Sequence, residues 1–149
     1  TDHYHPRVYV LGQTDKMSLE KVEAFECSKG ARAAIEWIPR AREVRQSYFS
    51  SVYSTIIAIL YSLPLVLRSW PDLVLCNGPG TCIPVCLCSY LLTFIGAKTI
   101  KICYVESICR VEHLSLSARL LYYIADHLIV QWPQLQLAYP RTRYIGRVC

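Results

Sequence analysis

Short apolar runs of strand character alternate with longer helix-period segments along the whole chain. That alternation is the strongest constraint on the fold, because a β-α-β-α order places successive strands parallel and puts helices between them. The strand-like runs are residues 7–11 (RVYVL), 35–38 (IEWI), 72–76 (DLVLC), 99–105, 127–131 and 143–145. The helix-like segments are residues 17–29, 47–69, 82–95, 114–125 and 133–139. Punctuation supports the boundaries. Gly30 and Gly96 follow helices, Pro39 and Pro71 flank strands, and Pro84 falls in a first helical turn, where a missing N–H costs little. Ser18 is expected to cap the first helix, with Met17 stapled onto Val22, and Thr81 is expected to cap the third. Pro64 is expected to kink the second. The predicted fold is α/β, a Rossmann-like, mainly parallel sheet with helices on both faces, in one domain over residues 1–149.

Two apolar stretches bear on a membrane. Residues 52–67 contain Ser54, Thr55, Ser62 and Pro64, and residues 82–95 contain Pro84. Neither reaches the roughly 18 uninterrupted apolar residues of a spanning helix, so each is read as a buried or membrane-surface helix. The net charge of +5 suits an anionic membrane surface or a phosphate-bearing ligand. No dense basic stripe interleaved with aromatics is present, so nucleic acid is not an expected partner. The eight cysteines include no C-x-x-C pair, and several lie in apolar runs; they read as reduced core thiols rather than zinc ligands or a disulfide framework. His3, His5, His113 and His127 show no ligand spacing, so no metal and no cofactor are expected. No G-x-S-x-G elbow supports a hydrolase.

Ligands of parallel α/β sheets bind beyond the carboxyl ends of the strands, and three features fall there. Asn77-Gly78-Pro79-Gly80-Thr81 joins a strand to a helix. Its glycines and the free N–H groups of the helix start can cradle a phosphate or pyrophosphate, or simply make a tight capped turn. Glu106 follows an apolar strand, with Arg110 and Glu112 close behind. Its carboxylate can accept a proton from a substrate hydroxyl, pair with Arg110, or fix the backbone of the loop after it. Arg40, Arg42 and Arg45 cluster after the second strand, where guanidinium groups suit phosphate oxygens.

Residues 38–44 (IPRAREV), 71–81 (PDLVLCNGPGT), 104–112 (YVESICRVE), 130–133 (VQWP) and 144–148 (YIGRV) stand in an order that resembles the membrane-anchoring subunit family of the eukaryotic UDP-N-acetylglucosamine transferase of dolichol-linked oligosaccharide synthesis. The resemblance implies the N-terminal, acceptor-side half of a split GT-B glycosyltransferase. It implies transfer of N-acetylglucosamine from UDP-N-acetylglucosamine to dolichyl-pyrophosphate-N-acetylglucosamine on the cytosolic face of the endoplasmic reticulum membrane. A separate soluble catalytic subunit, forming a heterodimer, would hold most of the UDP-sugar site, and this chain would recruit it and be inactive alone. On that reading Glu106 is the base, and Asn77, Gly78, Gly80, Thr81, Arg40 and Arg42 hold the acceptor pyrophosphate. Tyr144, Ile145, Gly146, Arg147 and Val148 bind the partner. A non-catalytic membrane-recruitment scaffold of the same fold is the alternative. The family pattern opens with a membrane helix and a first strand bearing a glycine-rich, histidine-containing loop. This sequence starts near the pattern's second strand, so the implied domain lacks the anchor and its first strand and carries open sheet edges.

Overall fold

A computed structural model describes residues 6–13, 15–30, 34–38, 48–77, 80 and 82–146. Within them the order is β1 (Val8–Gly12), α1 (Lys16–Ser28), β2 (Ala34–Ile38), α2 (Tyr48–Ser69), β3 (Leu73–Asn77), α3 (Cys82–Phe94), β4 (Lys101–Val105), α4 (Leu116–Leu121), β5 (His127–Val130), α5 (Pro133–Ala138) and β6 (Thr142–Tyr144). Each strand pair is parallel, as the sequence alternation requires.

The strands form two sheets, β1-β2 and β3-β4-β5-β6. In register, Val8 faces Ala34, Leu73 faces Lys101, Tyr104 faces Leu128, and Val130 faces Tyr144. Among the described residues β1 and β3 each have a neighbour on one side only. Leu75, on β3, is 67% exposed; with Leu73 and Asn77 it lies on the face of the strand opposite the buried Val74 and Cys76. One apolar cluster nonetheless joins both sheets: Ile38 and Val10 belong with Val66, Val74, Cys86, Tyr104 and Leu128.

Local chemistry explains the helix ends, sometimes against expectation. Asp15, not Ser18, caps α1: its carboxylate accepts from the Ser18 N–H at 3.1 Å and the Ser18 hydroxyl at 2.7 Å. A carboxylate satisfies two donors at once, which outcompetes a serine hydroxyl three residues inside the helix. Met17 is 72% exposed and staples nothing. α2 runs helically through Pro64. α4 is shorter than residues 114–125, because Ser115 stays extended and caps it through the Ala118 N–H. β6 lies one residue earlier than expected.

Candidate functional site

The carboxyl ends of β3, β4, β5 and β6 meet at one edge. At the end of β3, Asn77 is exposed. Gly80 lies beside α4: a Cβ built on it would sit 3.9 Å from Ser117 Oγ. This contact brings the turn after β3 against the segment after β4. Gly78 and Thr81, with Arg40 and Arg42, lie outside the described residues, so the phosphate cradle expected of them stays an expectation.

At the end of β4, Glu106 is 1% exposed and fully bonded. Oε1 accepts the Ser107 N–H and Oε2 accepts the Ser115 N–H, both at 2.8 Å. Its own N–H donates to Ile129 O at 2.9 Å, and its carbonyl accepts from Gln131 Nε2 at 3.3 Å. One buried carboxylate therefore bridges both ends of the loop 107–114. Two charge-assisted bonds offset the cost of burying that charge. Of the three uses open to Glu106 in the sequence, the geometry matches the fixing of the loop backbone. The carboxylate makes no ion pair with Arg110 among the described residues.

The rest of the loop is held by neighbours that sequence reasoning gave no role. The Trp132 indole donates to Ile108 O at 2.7 Å, and the Arg110 N–H donates to Ser107 O at 3.1 Å. Leu114 is buried. The Tyr104 hydroxyl lies 3.4 Å from Ser115 Oγ. Burial pushes the Tyr104 phenol up to about 12, despite the opposing hydrogen bond from Ser115, so it stays neutral at physiological pH. The available signal for this network was Gln131-Trp132, a polar pair directly after an apolar strand.

Beneath the turn, Cys76 and Cys86 sulfurs lie 3.2 Å apart. The bond to Cys76 and burial hold the Cys82 thiol well above the ordinary range. For Cys76, the bond from Cys82 lowers the pKa, but contact with Cys86 and burial outweigh it. Cys76 and Cys82 are thus neutral thiols, and among the described residues no group of three or more metal-ligating side chains could hold an ion. A shallow hollow lined by Tyr90, Thr93, Lys101 and Asp126 sits at the opposite edge, by the start of β4.

At the end of β6, Tyr144 is 39% exposed and Ile145 is 63% exposed. Gly146 has φ +96°, a left-handed turn that favours glycine. Arg147 and Val148 lie outside the described residues.

A family model described as oligosaccharide biosynthesis protein Alg14 like matches residues 1–148. The rat protein named UDP-N-acetylglucosamine transferase subunit ALG14 is 48% identical over 153 residues, spanning 97% of this chain and 71% of that protein. The human protein of the same name is 48% identical with the same coverage. Its counterpart in Schizosaccharomyces pombe is 42% identical, spanning 97% of this chain and 70% of that protein. A crystal structure of MurG from Acinetobacter baumannii superposes with TM-score 0.55 at 13% identity, covering 86% of this chain and 43% of that chain. MurG is a GT-B glycosyltransferase, and at this identity the likeness bears on fold alone. With a parallel α/β frame matching part of a GT-B chain and a family match over nearly every residue, this chain belongs to the Alg14 family of oligosaccharide biosynthesis proteins.

Proposed function

We propose that this chain is the acceptor-side subunit of a two-subunit glycosyltransferase. The pair transfers N-acetylglucosamine from UDP-N-acetylglucosamine to dolichyl-pyrophosphate-N-acetylglucosamine at the cytosolic face of the endoplasmic reticulum membrane. A soluble partner subunit holds most of the UDP-sugar site, and this chain alone is inactive.

The observation that carries the reading is a pairing of two facts. Relatives 48% identical over nearly the whole chain are named as a transferase subunit, and the fold spans only 43% of a GT-B chain. A GT-B half needs a second half to close a cleft around two substrates. The tail, Tyr144 to Val148, is the assigned partner contact, supported by the exposure of Tyr144 and Ile145.

Membrane contact is supported by α2 and α3. No charged residue occurs from Tyr48 to Leu67 or from Cys82 to Ala97. Apart from Arg68 in the last turn of α2, the large side chains exposed there are apolar or aromatic: Ile56, Leu60, Tyr61 and Leu67 on α2, and Tyr90, Leu91 and Phe94 on α3. Among the described residues no helix is long and apolar enough to cross a membrane. Such a face fits the lipid boundary without spanning it.

Glu106 acts as a positioning residue for the 107–114 loop in this reading. The recruitment-scaffold alternative draws on the same residue, since its carboxylate is spent on backbone bonds. Co-purification with the soluble subunit, followed by a transfer assay with UDP-N-acetylglucosamine and a short-chain dolichyl-pyrophosphate acceptor, separates the two. Binding with activity that depends on Asn77 and on the 107–114 loop supports the acceptor-side role. Activity indifferent to both, but abolished by loss of the tail, supports the scaffold.

A further inference from the structure

The three long helices each give way to a residue with a left-handed backbone. After α1 and α3 it is a glycine, Gly30 at φ +68° and Gly96 at φ +80°; after α2 it is Trp70 at φ +41°. That conformation suits glycine and strains a bulky residue, the more so before a proline such as Pro71. A glycine would make the same turn without strain. What tryptophan adds is its ring, which is 45% exposed. Among the described residues the indole N–H has no acceptor.

Lys98 holds the strained residue in place. Its ammonium donates to the Trp70 carbonyl at 2.6 Å, pairs with Asp72 at 2.9 Å, and lies 5.7 Å from the centre of the indole ring. The Lys98 side chain is only 18% exposed, well below the usual state of a lysine. Because Lys98 follows α3, it ties the carboxyl end of α2 to that of α3. Both ends present apolar side chains: Leu67 and Trp70 at one, Phe94 and Ile95 at the other, each at least 45% exposed. Neither helix carries an acidic residue, and Arg68, two residues before Trp70, is exposed.

We propose that Trp70 is the interfacial anchor that seats the α2–α3 face in the headgroup boundary of a bilayer bearing anionic phospholipid. Indole favours that boundary because its body is apolar and its N–H is polar. An anchor at one end of a helix lying on the surface fixes how the helix sits there. Arg68 and the net charge of +5 draw the same end toward anionic phosphate. The inference rests on the membrane contact proposed above and names the residue that fixes its geometry.

The test compares wild type, Trp70→Gly and Trp70→Tyr on phosphatidylcholine vesicles with and without phosphatidylserine. Trp70→Gly should weaken binding to the mixed vesicles about three- to tenfold, the scale of a large aromatic side chain half withdrawn from water. Its melting temperature should stay within a few degrees of wild type, because a relaxed backbone offsets the lost ring contacts. Trp70→Tyr should keep most of the affinity, since tyrosine also favours the boundary. Subtracting its emission spectrum from that of wild type isolates the Trp70 indole. That difference should move to shorter wavelength on the mixed vesicles, and lipids brominated near the headgroup should quench it more than lipids brominated at the chain ends. Unchanged affinity in Trp70→Gly, or a difference spectrum that ignores the vesicles, would overturn the anchor role. If Trp70→Gly does not fold, the difference spectrum decides alone. Equal wild-type binding with and without phosphatidylserine would overturn the anionic preference. Wild type that binds neither kind of vesicle would instead overturn the membrane reading and this inference with it.

Discussion

Replacing Glu106 by glutamine separates two jobs that a buried carboxylate can do. As a brace, it accepts from two backbone N–H groups at once. A glutamine amide turns its NH2 toward one of those donors and leaves it unsatisfied, at a cost of about 1–3 kcal/mol. For a chain of this size that lowers the melting temperature by roughly 2–4 °C per kcal/mol. We expect Glu106→Gln to lower the melting temperature and raise the acceptor KM, with kcat falling less than about tenfold. A general base would behave in the opposite way: kcat lower by about 100-fold or more with stability unchanged. A second residue reports on pH. Partial burial pushes the Asp126 carboxyl up, but bonds from Lys101 and the Ile102 N–H outweigh it and hold it below the usual carboxylate range. A depressed folded pKa gives stability that is present above the unfolded value and lost as pH falls through the folded one. Asp126→Asn should therefore lower the melting temperature at pH 7, and the difference should shrink as pH falls below the unfolded carboxylate value of about 3.9. Thermal melts of both proteins across that range check this.

Strand-helix alternation was legible because its signals are local: apolar runs of strand length, closing glycines, and prolines near element ends, with Pro64 inside α2 the exception. The parallel pairing followed from that order alone, but the division of the described strands into two sheets did not. The α1 cap was misplaced because Asp15 and Ser18 are three residues apart and either can cap; the choice depends on which side chain meets more donors. The role of Glu106 was less legible still. Its partners, Ser115 and Gln131, lie 9 and 25 residues away, and no spacing rule links them. The outer faces of α2 and α3 show the same division. Their lack of charge is plain in the sequence, but which apolar positions face solvent emerges only when Ala58, Ser62 and Val66 are seen to point inward. From that exposure we expect Leu60→Glu or Phe94→Glu to cut co-sedimentation with anionic vesicles, with little change in melting temperature. Each charge opposes insertion at the lipid boundary, and both side chains are already more than half exposed in the folded chain.

On the scale of the whole molecule, two parallel sheets share one core, and among the described residues β1 and β3 each pair on one side only while Leu75 stands exposed on one face of β3. The functional edge lies at the carboxyl ends of the strands, along which Asn77 on β3, the braced loop after β4 and the exposed end of β6 are set out. The tail prediction belongs to this scale. Ile145 is 63% exposed and carries little of the fold, so Ile145→Asp should weaken co-purification with the soluble subunit while leaving the melting temperature unchanged. The central claim is that this edge receives the lipid-linked acceptor, and backbone amide shifts test it most directly. The chain is isotope-labelled within the purified pair, and each substrate is titrated separately. The dolichyl-pyrophosphate acceptor should shift the amides of Asn77, Gly80 and residues 107–117, and UDP-N-acetylglucosamine alone should leave most of them in place. An acceptor that moves none of these amides, while UDP-N-acetylglucosamine moves them, would contradict it.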